Sequence, residues 1–281
     1  MSTAATRLLA LLGHPVAHSR SPAIHAAALA ALGVDARYLA FDVRPEALGA
    51  AVEGLRALGA LGANVTVPHK RAVMAHLDRV EPAAAAIGAV NTIAREGDAL
   101  VGSNTDAPGL VRSLEDAGVA LAGRRVWVVG AGGAARAAVA GLAEAGAASI
   151  RVHARRPAQA EALVADLEPL AGARLSHGPL EGEADLLVQA TSATLESAAD
   201  PEGFAAALPL ESLGSGAVVV DLVYAPLETA ALARARRLGL RAVDGLGMLV
   251  WQAALALERW TGREAPVEIM RAAALDAMPP A

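Results

Sequence analysis

The chain contains no cysteine among its 281 residues, and this absence excludes three kinds of chemistry. Disulfide bonds, thiolate metal sites and cysteine nucleophiles all need a thiol. Aromatic residues are also scarce, at 2% of the chain, and charged residues make up only 19%. Hydrophobic residues nevertheless reach 54%. This composition predicts a folded globular protein of about one or two domains rather than a disordered chain.

Long apolar runs and blocks of basic residues are missing as well. No continuous apolar stretch approaches the roughly 18 residues that a membrane-spanning helix needs. The net charge is −5, which without a basic block disfavours binding to nucleic acid or to a membrane surface. The apolar run over 8–13 is too short for a signal peptide and continues into a polar motif. We therefore expect a cytoplasmic protein.

Lysine and asparagine are rare. Alanine accounts for 72 residues, and arginine for all but one of the 24 basic residues. The exception is Lys70, and the only asparagines are Asn64, Asn91 and Asn104. A bias that removes Lys and Asn wherever another residue is tolerated would leave the survivors at positions that need them. Chance survival is the alternative explanation for any one of them.

Short apolar strands alternate with Ala/Leu-rich helices along the chain. Strands are predicted over 7–13, 38–43, 62–67, 91–95, 99–103, 125–129, 149–153, 184–189, 217–222 and 240–243. Helices are predicted over 21–33, 45–58, 68–80, from 82, over 106–118, 133–145, 158–167, 227–238, 246–260 and 266–277. The fold class is therefore α/β, with parallel sheets covered by helices on both faces.

Turn and cap residues refine this pattern. The turn signal over 96–98 predicts a hairpin between the strands on either side. Ser21 is the predicted N-cap of the first helix, with Pro22 at its first helical position, and Gly33 is the predicted C-cap. Residues 197–209 are predicted to be a loop or a weak helix.

Residues 130–136 read GAGGAAR and lie between a predicted strand and a predicted helix. In this G-x-G-x-x-A pattern Gly130 permits a tight turn, and Gly132 lets the backbone approach a pyrophosphate. Ala135 is small enough for the helix to pack on the sheet, and the helix N-terminus faces the anion. The pattern in this context predicts a dinucleotide site.

The next strand indicates which dinucleotide binds. It ends at His153 and is followed by Ala154, Arg155 and Arg156. An acidic residue here would bind the ribose 2′-hydroxyl of NAD, whereas arginines suit the 2′-phosphate of NADP. We expect NADP as the cofactor. The alternative is a solvated arginine pair, which is common in an Arg-rich chain.

Lys70 and Asp106 are the most informative pair of polar residues. Both follow predicted strands, and ligands of open α/β sheets bind beyond the carboxyl ends of the strands. Arg cannot lose its proton in a protein, whereas Lys can act as an acid or a base. A bias toward Arg would therefore fail at a site of proton transfer. A surface cation for Lys70 and an N-cap for Asp106 are the alternatives, and spacing leaves them open.

Two further groups of polar residues lie in the first half. Ser19 and Ser21 suit either a substrate carboxylate or a turn and a cap. No metal site is expected, because the spacing of a metal motif and clustered Glu partners are both absent around the first-half histidines, which are His14, His18, His25 and His69.

Seven motifs in order make the chain similar to the shikimate dehydrogenase family over nearly its whole length. They are GHPVAHSRSP (13–22), NVTVPHK (64–70), IGAVNT (87–92), GSNTD (102–106), GAGGAAR (130–136), DLVY (221–224) and GLGMLVWQ (245–252), the last followed by WTG (260–262). Several motifs in order are far more specific than any one of them.

The resemblance implies two domains and a reaction. An N-terminal α/β substrate domain over 1–107 would be completed by 246–281, a Rossmann NADP-binding domain would occupy 108–245, and the active site would lie in the cleft. Similar enzymes reduce 3-dehydroshikimate reversibly to shikimate with NADPH, in chorismate and aromatic amino acid biosynthesis. Hydride would pass to the ketone carbon while Lys70 donates a proton to the oxygen.

The resemblance also assigns site residues by motif. Lys70 and Asp106 would form the catalytic dyad. The substrate carboxylate and ring would be bound by Ser19, Ser21, Thr66, Asn91, Tyr224 and Gln252. The cofactor would be bound by Gly130, Ala131, Gly132, Gly133, Ala134, Ala154, Arg155, Arg156, Thr191, Ser192, Leu222, Gly245 and Met248.

The chain departs from the family pattern in three places. Ala26 replaces an Asn that often follows the His of the first helix. The family's Asn-Arg-Thr after the second Rossmann strand is ARR over 154–156, and its N-A-T-S-x-G-M loop is QATSATL over 189–195. The last two departures border the cofactor, so cofactor affinity is the property that they affect most.

Two alternatives stay open. One is a relative that accepts quinate or NAD, and the other is a non-catalytic NADP-binding regulatory protein of the same fold. Ser21, where quinate-preferring relatives often carry Thr, favours shikimate, and the presence of both Lys70 and Asp106 favours an enzyme. A methylene-tetrahydrofolate dehydrogenase is disfavoured, because few aromatic residues are present to bind a pterin. The expected partner is a small-molecule substrate, and both a monomer and a homodimer are compatible with the sequence.

Overall fold

The computed structural model describes residues 2–277 of the chain. Two compact units are present, one comprising Met1–Thr105 with Val250–Ala281 and the other Asp106–Leu249. We call them unit 1 and unit 2. The predicted domain limits, at residues 107 and 246, differ from these by two and four residues.

Both units are built from strands and helices that alternate along the chain. The strands are β1 (Arg7–Gly13), β2 (Ala36–Asp42), β3 (Gly62–Val65), β4 (Arg79–Val80), β5 (Thr92–Glu96), β6 (Ala99–Ser103), β7 (Arg125–Val129), β8 (Ser149–His153), β9 (Leu175–His177), β10 (Leu186–Gln189), β11 (Val218–Asp221) and β12 (Arg241–Val243). The α-helices are α1 (Ser21–Ala31), α2 (Leu48–Ala57), α3 (Pro82–Ile87), α4 (Asp106–Asp116), α5 (Gly133–Glu144), α6 (Pro157–Ala171), α7 (Pro201–Ala207), α8 (Ala230–Arg237), α9 (Leu246–Thr261) and α10 (Val267–Asp276).

The sheet of unit 1 is mixed, in the order β2-β1-β3-β5-β6-β4. Strand β1 runs parallel to β2 and β3, whereas β5 is antiparallel to β3 and β6. Because β5 runs in the opposite direction, its first residue, Thr92, lies opposite Asn64 of β3 and Ser103 of β6. The polar motifs that follow β3 and β6 therefore meet the one that precedes β5 at the same end of the sheet.

Helical periodicity explains how the helices of unit 1 cover this sheet. Leu48, Val52 and Leu55 of α2 are buried in one hydrophobic cluster with sheet residues such as Ala63 and Val65. Their spacing of three and four residues places them on one face of the helix. Because apolar residues cover the sheet, the polar side chains of the motifs lie at the ends of the strands.

The sheet of unit 2 is entirely parallel, in the order β12-β11-β10-β7-β8-β9. This is the doubly wound order of dinucleotide-binding folds, with the switch point between β7 and β10. The central strands β7, β10 and β11 are nearly continuous apolar runs because helices cover both faces, and Val126, Val128, Leu186 and Val218 are all buried in one cluster. The α/β prediction is confirmed. The expectation of parallel sheets holds for unit 2 only, because β5 of unit 1 runs antiparallel to both of its neighbours.

Several predicted elements differ in detail. The helix predicted over 68–80 is only a 3-10 helix, Ala72–His76, followed by β4, because Arg79 and Val80 pair with β6 instead. Strand β9 is a three-residue edge strand without a strong apolar pattern, and sequence reasoning missed it. Helix α6 continues past residue 167 and contains Pro169.

The weak segment 197–209 and the first half of 45–58 also resolve into short elements. Residues Pro201–Ala207 form α7, whose N-cap Asp200 accepts a hydrogen bond from the Gly203 N–H at 2.8 Å. Residues Pro45–Ala47 form a 3-10 turn that leads into α2. The predicted hairpin of β5 and β6 is confirmed. Within the described residues, no helix has both the length and the apolar character that crossing a membrane requires.

Candidate active site

In unit 1, backbone hydrogen bonds join the three polar motifs at one end of the sheet. The Val65 N–H donates to the Asn91 carbonyl at 2.8 Å, and the Asn91 N–H donates to the Ser103 carbonyl at 3.1 Å. The Thr66 N–H donates to the Leu12 carbonyl at 2.9 Å, which ties the end of β3 to the end of β1. The segments that carry Thr66 and Asn91 are therefore fixed to one another.

A tight turn presents Lys70 at this end of the sheet. The buried His69 ring donates from Nε2 to the Val43 carbonyl at 2.6 Å, and the His69 N–H donates to the Thr66 carbonyl at 2.9 Å. The Val90 N–H donates to the Lys70 carbonyl at 2.7 Å. The backbone on both sides of the Lys70 side chain is thus held, while the side chain itself is half-buried.

Ser21 does not act as the predicted N-cap. Arg20 occupies the N-cap position with helical backbone angles, no side chain caps the helix, and Ser21 is the first helical residue. The Ser21 N–H donates to the Ser19 hydroxyl oxygen at 3.3 Å. The cap prediction is therefore wrong, because the chain enters α1 already in helical conformation. Both serines lie at the N-terminal end of a helix, where anions are favoured.

Asn91 is almost fully buried and is engaged within unit 1. Its Oδ1 accepts from the Thr105 N–H at 2.7 Å, and its Nδ2 donates to the Thr105 hydroxyl at 2.9 Å. The Asn64 amide is also internal: Nδ2 donates to the Thr92 hydroxyl at 3.1 Å. The role of Asn91 toward a ligand stays a prediction. In the structure, the Asn91 side chain holds Thr105, which lies between β6 and α4.

A stacked aromatic cluster lies beneath this polar layer, and sequence reasoning missed it. The His25 ring stacks on Tyr38 with centroids 4.2 Å apart, and Trp260 lies 5.3 Å from His25. The Tyr38 hydroxyl donates to Asn64 Oδ1 at 2.8 Å. Burial raises the pKa of Tyr38, and a hydrogen bond with Ser21 acts in the opposite direction. The sequence offered one indication of this cluster: aromatic residues are so scarce that the few present could be expected at positions that need them.

In unit 2, the dinucleotide motif forms the turn between β7 and α5. Gly130 has φ +124°, a conformation that L side chains rarely adopt. A Cβ on Gly130 would lie 2.9 Å from the Ala190 carbonyl oxygen. A Cβ on Gly132, the N-cap of α5, would meet open space, and Ala135 is fully buried against the sheet. The start of α5 therefore has open space beside it, and the N-terminus of a helix favours a phosphate there.

A cavity of about 880 Å³ lies beside this turn. Its lining includes seven predicted cofactor residues, which are Gly130, Ala131, Ala154, Arg155, Arg156, Thr191 and Ser192. Arg155 and Arg156 are exposed. Within the described residues, neither guanidinium forms a hydrogen bond or an ion pair. The cavity thus combines the Gly130 turn with the guanidinium groups of Arg155 and Arg156. A dinucleotide with a third phosphate needs both a turn for the pyrophosphate and positive charge for the additional phosphate.

The remaining predicted residues are distributed between the two units. Ser19, Ser21, Thr66, Lys70, Asn91 and Gln252 belong to unit 1. Asp106, Tyr224, Leu222, Gly245, Met248 and the dinucleotide motif belong to unit 2. Asp106 is buried at the first residue of α4. The pairing of Lys70 with Asp106 stays a prediction. Within residues 2–277, no group of three His, Asp or Glu side chains could hold a metal ion.

Two family models match the chain at both ends. The shikimate dehydrogenase substrate binding domain matches residues 11–93, and the shikimate 5′-dehydrogenase C-terminal domain matches residues 245–275. A shikimate dehydrogenase (NADP⁺) of Symbiobacterium thermophilum is 50% identical, with 97% of this chain and 95% of the relative covered. The chain belongs to the shikimate dehydrogenase family.

Solved structures of shikimate dehydrogenase family members have the same fold. Shikimate 5-dehydrogenase of Thermus thermophilus, in complex with NADP(H) and shikimate, is 43% identical with a TM-score of 0.87, and 97% of this chain and 100% of that chain are covered. Quinate dehydrogenase of Corynebacterium glutamicum, in complex with NAD, is 31% identical with a TM-score of 0.88, and the coverage is 96% and 99%. Relatives named for different substrates therefore share the fold of this chain.

The structure shows the burial and contacts of the residues at which this shikimate dehydrogenase family member departs from the common pattern. Ala26 is exposed on α1. Ala154 is buried in the main cluster of unit 2, so the position offers no polar side chain to the cavity. Gln189 and Thr194 of the altered loop are buried and hydrogen-bonded to each other at 2.8 Å. The two side chains thus hold the two ends of the loop together.

Proposed function

We propose that this chain is an NADP-dependent shikimate dehydrogenase that interconverts 3-dehydroshikimate and shikimate. The observation that carries the proposal is the cavity of unit 2. There the Gly130 turn lines the same space as two arginines that have no partner among the described residues. Shikimate as the substrate is supported by the motifs of unit 1 and by the Symbiobacterium thermophilum and Thermus thermophilus relatives.

The residues of unit 2 fit the cofactor. Gly130, Gly132 and the N-terminus of α5 would hold the pyrophosphate, because a helix N-terminus favours anions and the space beside Gly132 is open. Arg155 and Arg156 would hold the 2′-phosphate through charge-assisted hydrogen bonds. When bound, NADPH supplies the hydride of the reaction. Gly245 and Met248 are assigned to the nicotinamide end.

The residues of unit 1 fit a small polyhydroxylated acid. Ser19 and Ser21 offer hydroxyls at the N-terminal end of α1, where a carboxylate is stabilised by the helix dipole. Arg20 Nε is buried without a hydrogen-bond partner among the described residues, and it adds positive charge next to both serines. Thr66, Asn91 and Gln252, together with Tyr224, are assigned to the ring hydroxyls.

Lys70 is assigned the proton transfer. In the reductive direction its ammonium group would donate a proton to the carbonyl oxygen, and in the oxidative direction its neutral amine would accept one. Lys suits this task because its amine can change protonation state, which an arginine cannot do. Asp106 is assigned the second position of the dyad. The turn around His69 supports the assignment, because it holds the Lys70 backbone on both sides.

The test measures initial rates for each of the four combinations of shikimate or quinate with NADP⁺ or NAD⁺. The absorbance of the reduced nicotinamide reports the rate. We expect the highest kcat/KM with shikimate and NADP⁺. Preference for quinate or NAD⁺ would overturn the substrate or cofactor assignment and keep the reaction class. If no combination of substrate and cofactor is turned over while NADP⁺ still binds, the non-catalytic alternative is favoured.

A cytoplasmic location and a small-molecule partner are part of the same proposal. The absence of a membrane-spanning helix within residues 2–277 is compatible with both. Fractionation of the producing cells, with the enzyme assay as the readout, tests the location. Activity in the membrane or secreted fraction would contradict it.

A further inference from the structure

A buried polar network lies behind the wall of the unit 2 cavity. Its members are Gln189 at the end of β10, Asp221 at the end of β11, and Thr194 and Thr229, all of them almost fully buried. None of the four belongs to the cavity lining, whereas Thr191, Ser192 and Ala193 do. The network therefore does not line the cavity, and it acts on the cavity through the residues 191–193 that do.

Gln189 holds the loop at two points. Its Oε1 accepts from the Thr191 N–H at 2.5 Å, and its Nε2 donates to the Thr191 carbonyl at 3.1 Å and to the Thr194 hydroxyl at 2.8 Å. One side chain thus binds both ends of the segment 191–194, whose first three residues line the cavity. Because Gln189 terminates a central strand, the loop takes its position from the sheet.

Asp221 connects this loop to the next one. Its Oδ1 accepts from Gln189 Nε2 and from the Val223 N–H, both at 3.0 Å, and its Oδ2 accepts from the Thr229 hydroxyl at 2.7 Å. Burial raises the pKa of Asp221, and the hydrogen bonds that it accepts act in the opposite direction. The Val223 bond fixes the backbone directly before Tyr224.

The loop also contacts the dinucleotide turn. A Cβ on Gly130 would lie 2.9 Å from the Ala190 carbonyl oxygen and 3.0 Å from Thr191 Cγ2. The Ala190 N–H also donates to the Val129 carbonyl at 2.8 Å, directly before Gly130, so the position of the loop and the position of the turn are linked. This contact is the route from the buried network to the pyrophosphate position.

We propose that Gln189, Thr194 and Asp221 act as a positioning unit that sets the loop 190–193 against the Gly130 turn and so determines the affinity for the dinucleotide. The inference rests on the proposed function in one respect, since the ligand is taken to be NADP. Gln189 and Thr194 work as a pair, because the buried Gln189 Nε2 donates to the buried Thr194 hydroxyl at 2.8 Å. A shorter amide at 189 would leave that hydroxyl without this donor.

The experiment titrates purified variants with NADP⁺ by calorimetry and records their thermal unfolding. Thr194→Val keeps the shape and removes the hydroxyl, and we expect its Kd to rise about fivefold, as the loss of one buried hydrogen bond predicts. Thr194→Ser keeps the hydroxyl and should bind within about twofold of the natural chain. Ile150→Val, in the core of β8, is the control that lowers stability without touching the network.

A double-mutant cycle tests the pairing. Gln189→Asn alone should weaken NADP⁺ binding about fivefold or more, because the shorter amide leaves polar groups unpaired. Gln189→Asn combined with Thr194→Gly should lose less affinity than the sum of the losses of Gln189→Asn and Thr194→Gly measured singly. Strictly additive losses would overturn the pairing.

The remaining outcomes separate this inference from the proposed function. If the natural chain does not bind NADP⁺, the proposed function fails before any variant is made. If the natural chain binds and Thr194→Val binds equally well, the positioning role is wrong while the proposed function stands. If Ile150→Val weakens binding as much as Thr194→Val does, the effect is one of stability and the positioning role is again wrong.

Discussion

The carbonyl oxygen of Ala107 lies 2.7 Å from the position that a Cβ on Gly141 would occupy. The two residues join α4, which begins with Asp106, to α5, which begins at the dinucleotide turn. Any side chain at 141 would push these helices apart, because the obstacle is backbone and cannot rotate away. The spacing between Asp106 and the dinucleotide turn thus depends on a missing methyl group.

Replacing this glycine should damage activity as well as stability. We expect Gly141→Ala to lower kcat about tenfold or more, because Asp106 is the proposed partner of Lys70 and a small displacement of such a group has a large effect on rate. The free energy of unfolding should fall by about 1–3 kcal/mol, as for other overpacked sites. Gly54→Ala in α2 is the matched control, since its Cβ meets nothing within 4 Å, and it should stabilise the chain by about 0.5–1 kcal/mol. An unchanged kcat for Gly141→Ala would show that the helix spacing does not govern Asp106.

Lys70 should be needed for turnover rather than for binding. We expect Lys70→Ala to lower kcat by about 10²-fold or more with little change in the KM for shikimate, as the loss of a general acid–base group does. Lys70→Arg should not restore kcat, because an arginine keeps its proton. Arg71→Ala is the control, since Arg71 is exposed next to Lys70. Full activity of Lys70→Arg would remove proton transfer from the role of Lys70.

Arg155 should distinguish the two dinucleotides. Arg155→Asp places a carboxylate where the 2′-phosphate is expected, so the Kd for NADP⁺ should rise far more than the Kd for NAD⁺. The exposed Arg237 of unit 2 offers the same change of charge away from the cavity, and Arg237→Asp should leave the ratio of the two affinities unchanged. Equal weakening of both cofactors in Arg155→Asp would mean that this residue does not contact the phosphate, and Arg156→Asp would then be the next variant.

His25 should make the stability of the chain depend on pH. Burial lowers the pKa of His25 from its ordinary value of 6.5 to about 3. Below pH 6.5 His25 is protonated in the unfolded chain but stays neutral in the folded chain. The free energy of unfolding therefore falls as the pH drops from 6.5 toward 3. At pH 5 the loss should be about 2 kcal/mol. His25→Phe keeps a ring against Tyr38, so urea unfolding at a series of pH values should show a shallower decline. Parallel curves for both proteins would contradict this role of His25.

The motif residues could be read from the sequence because their chemistry is local. The turn at Gly130 needs a conformation that only glycine adopts readily, and Ala135 needs to be small, so both requirements are written in one short segment. The alternation of strands with helices predicted the parallel sheet of unit 2 for the same reason, because each helix and strand has its own period. The helix predicted over 68–80 was wrong because pairing of Arg79 and Val80 with β6 prevailed over helix propensity.

The sequence alone thus determined the fold class, the dinucleotide turn and the polar segments at the strand ends. It could not determine which buried groups hold those segments, because the partners are distant in the chain and join only when the sheets form. Gln189 and Asp221 are 32 residues apart and share one hydrogen bond at the ends of neighbouring strands. The ring of His25 meets Tyr38 and Trp260 through contacts that no periodicity records. Such contacts depend on strand order and helix packing, and those are properties of the folded chain alone.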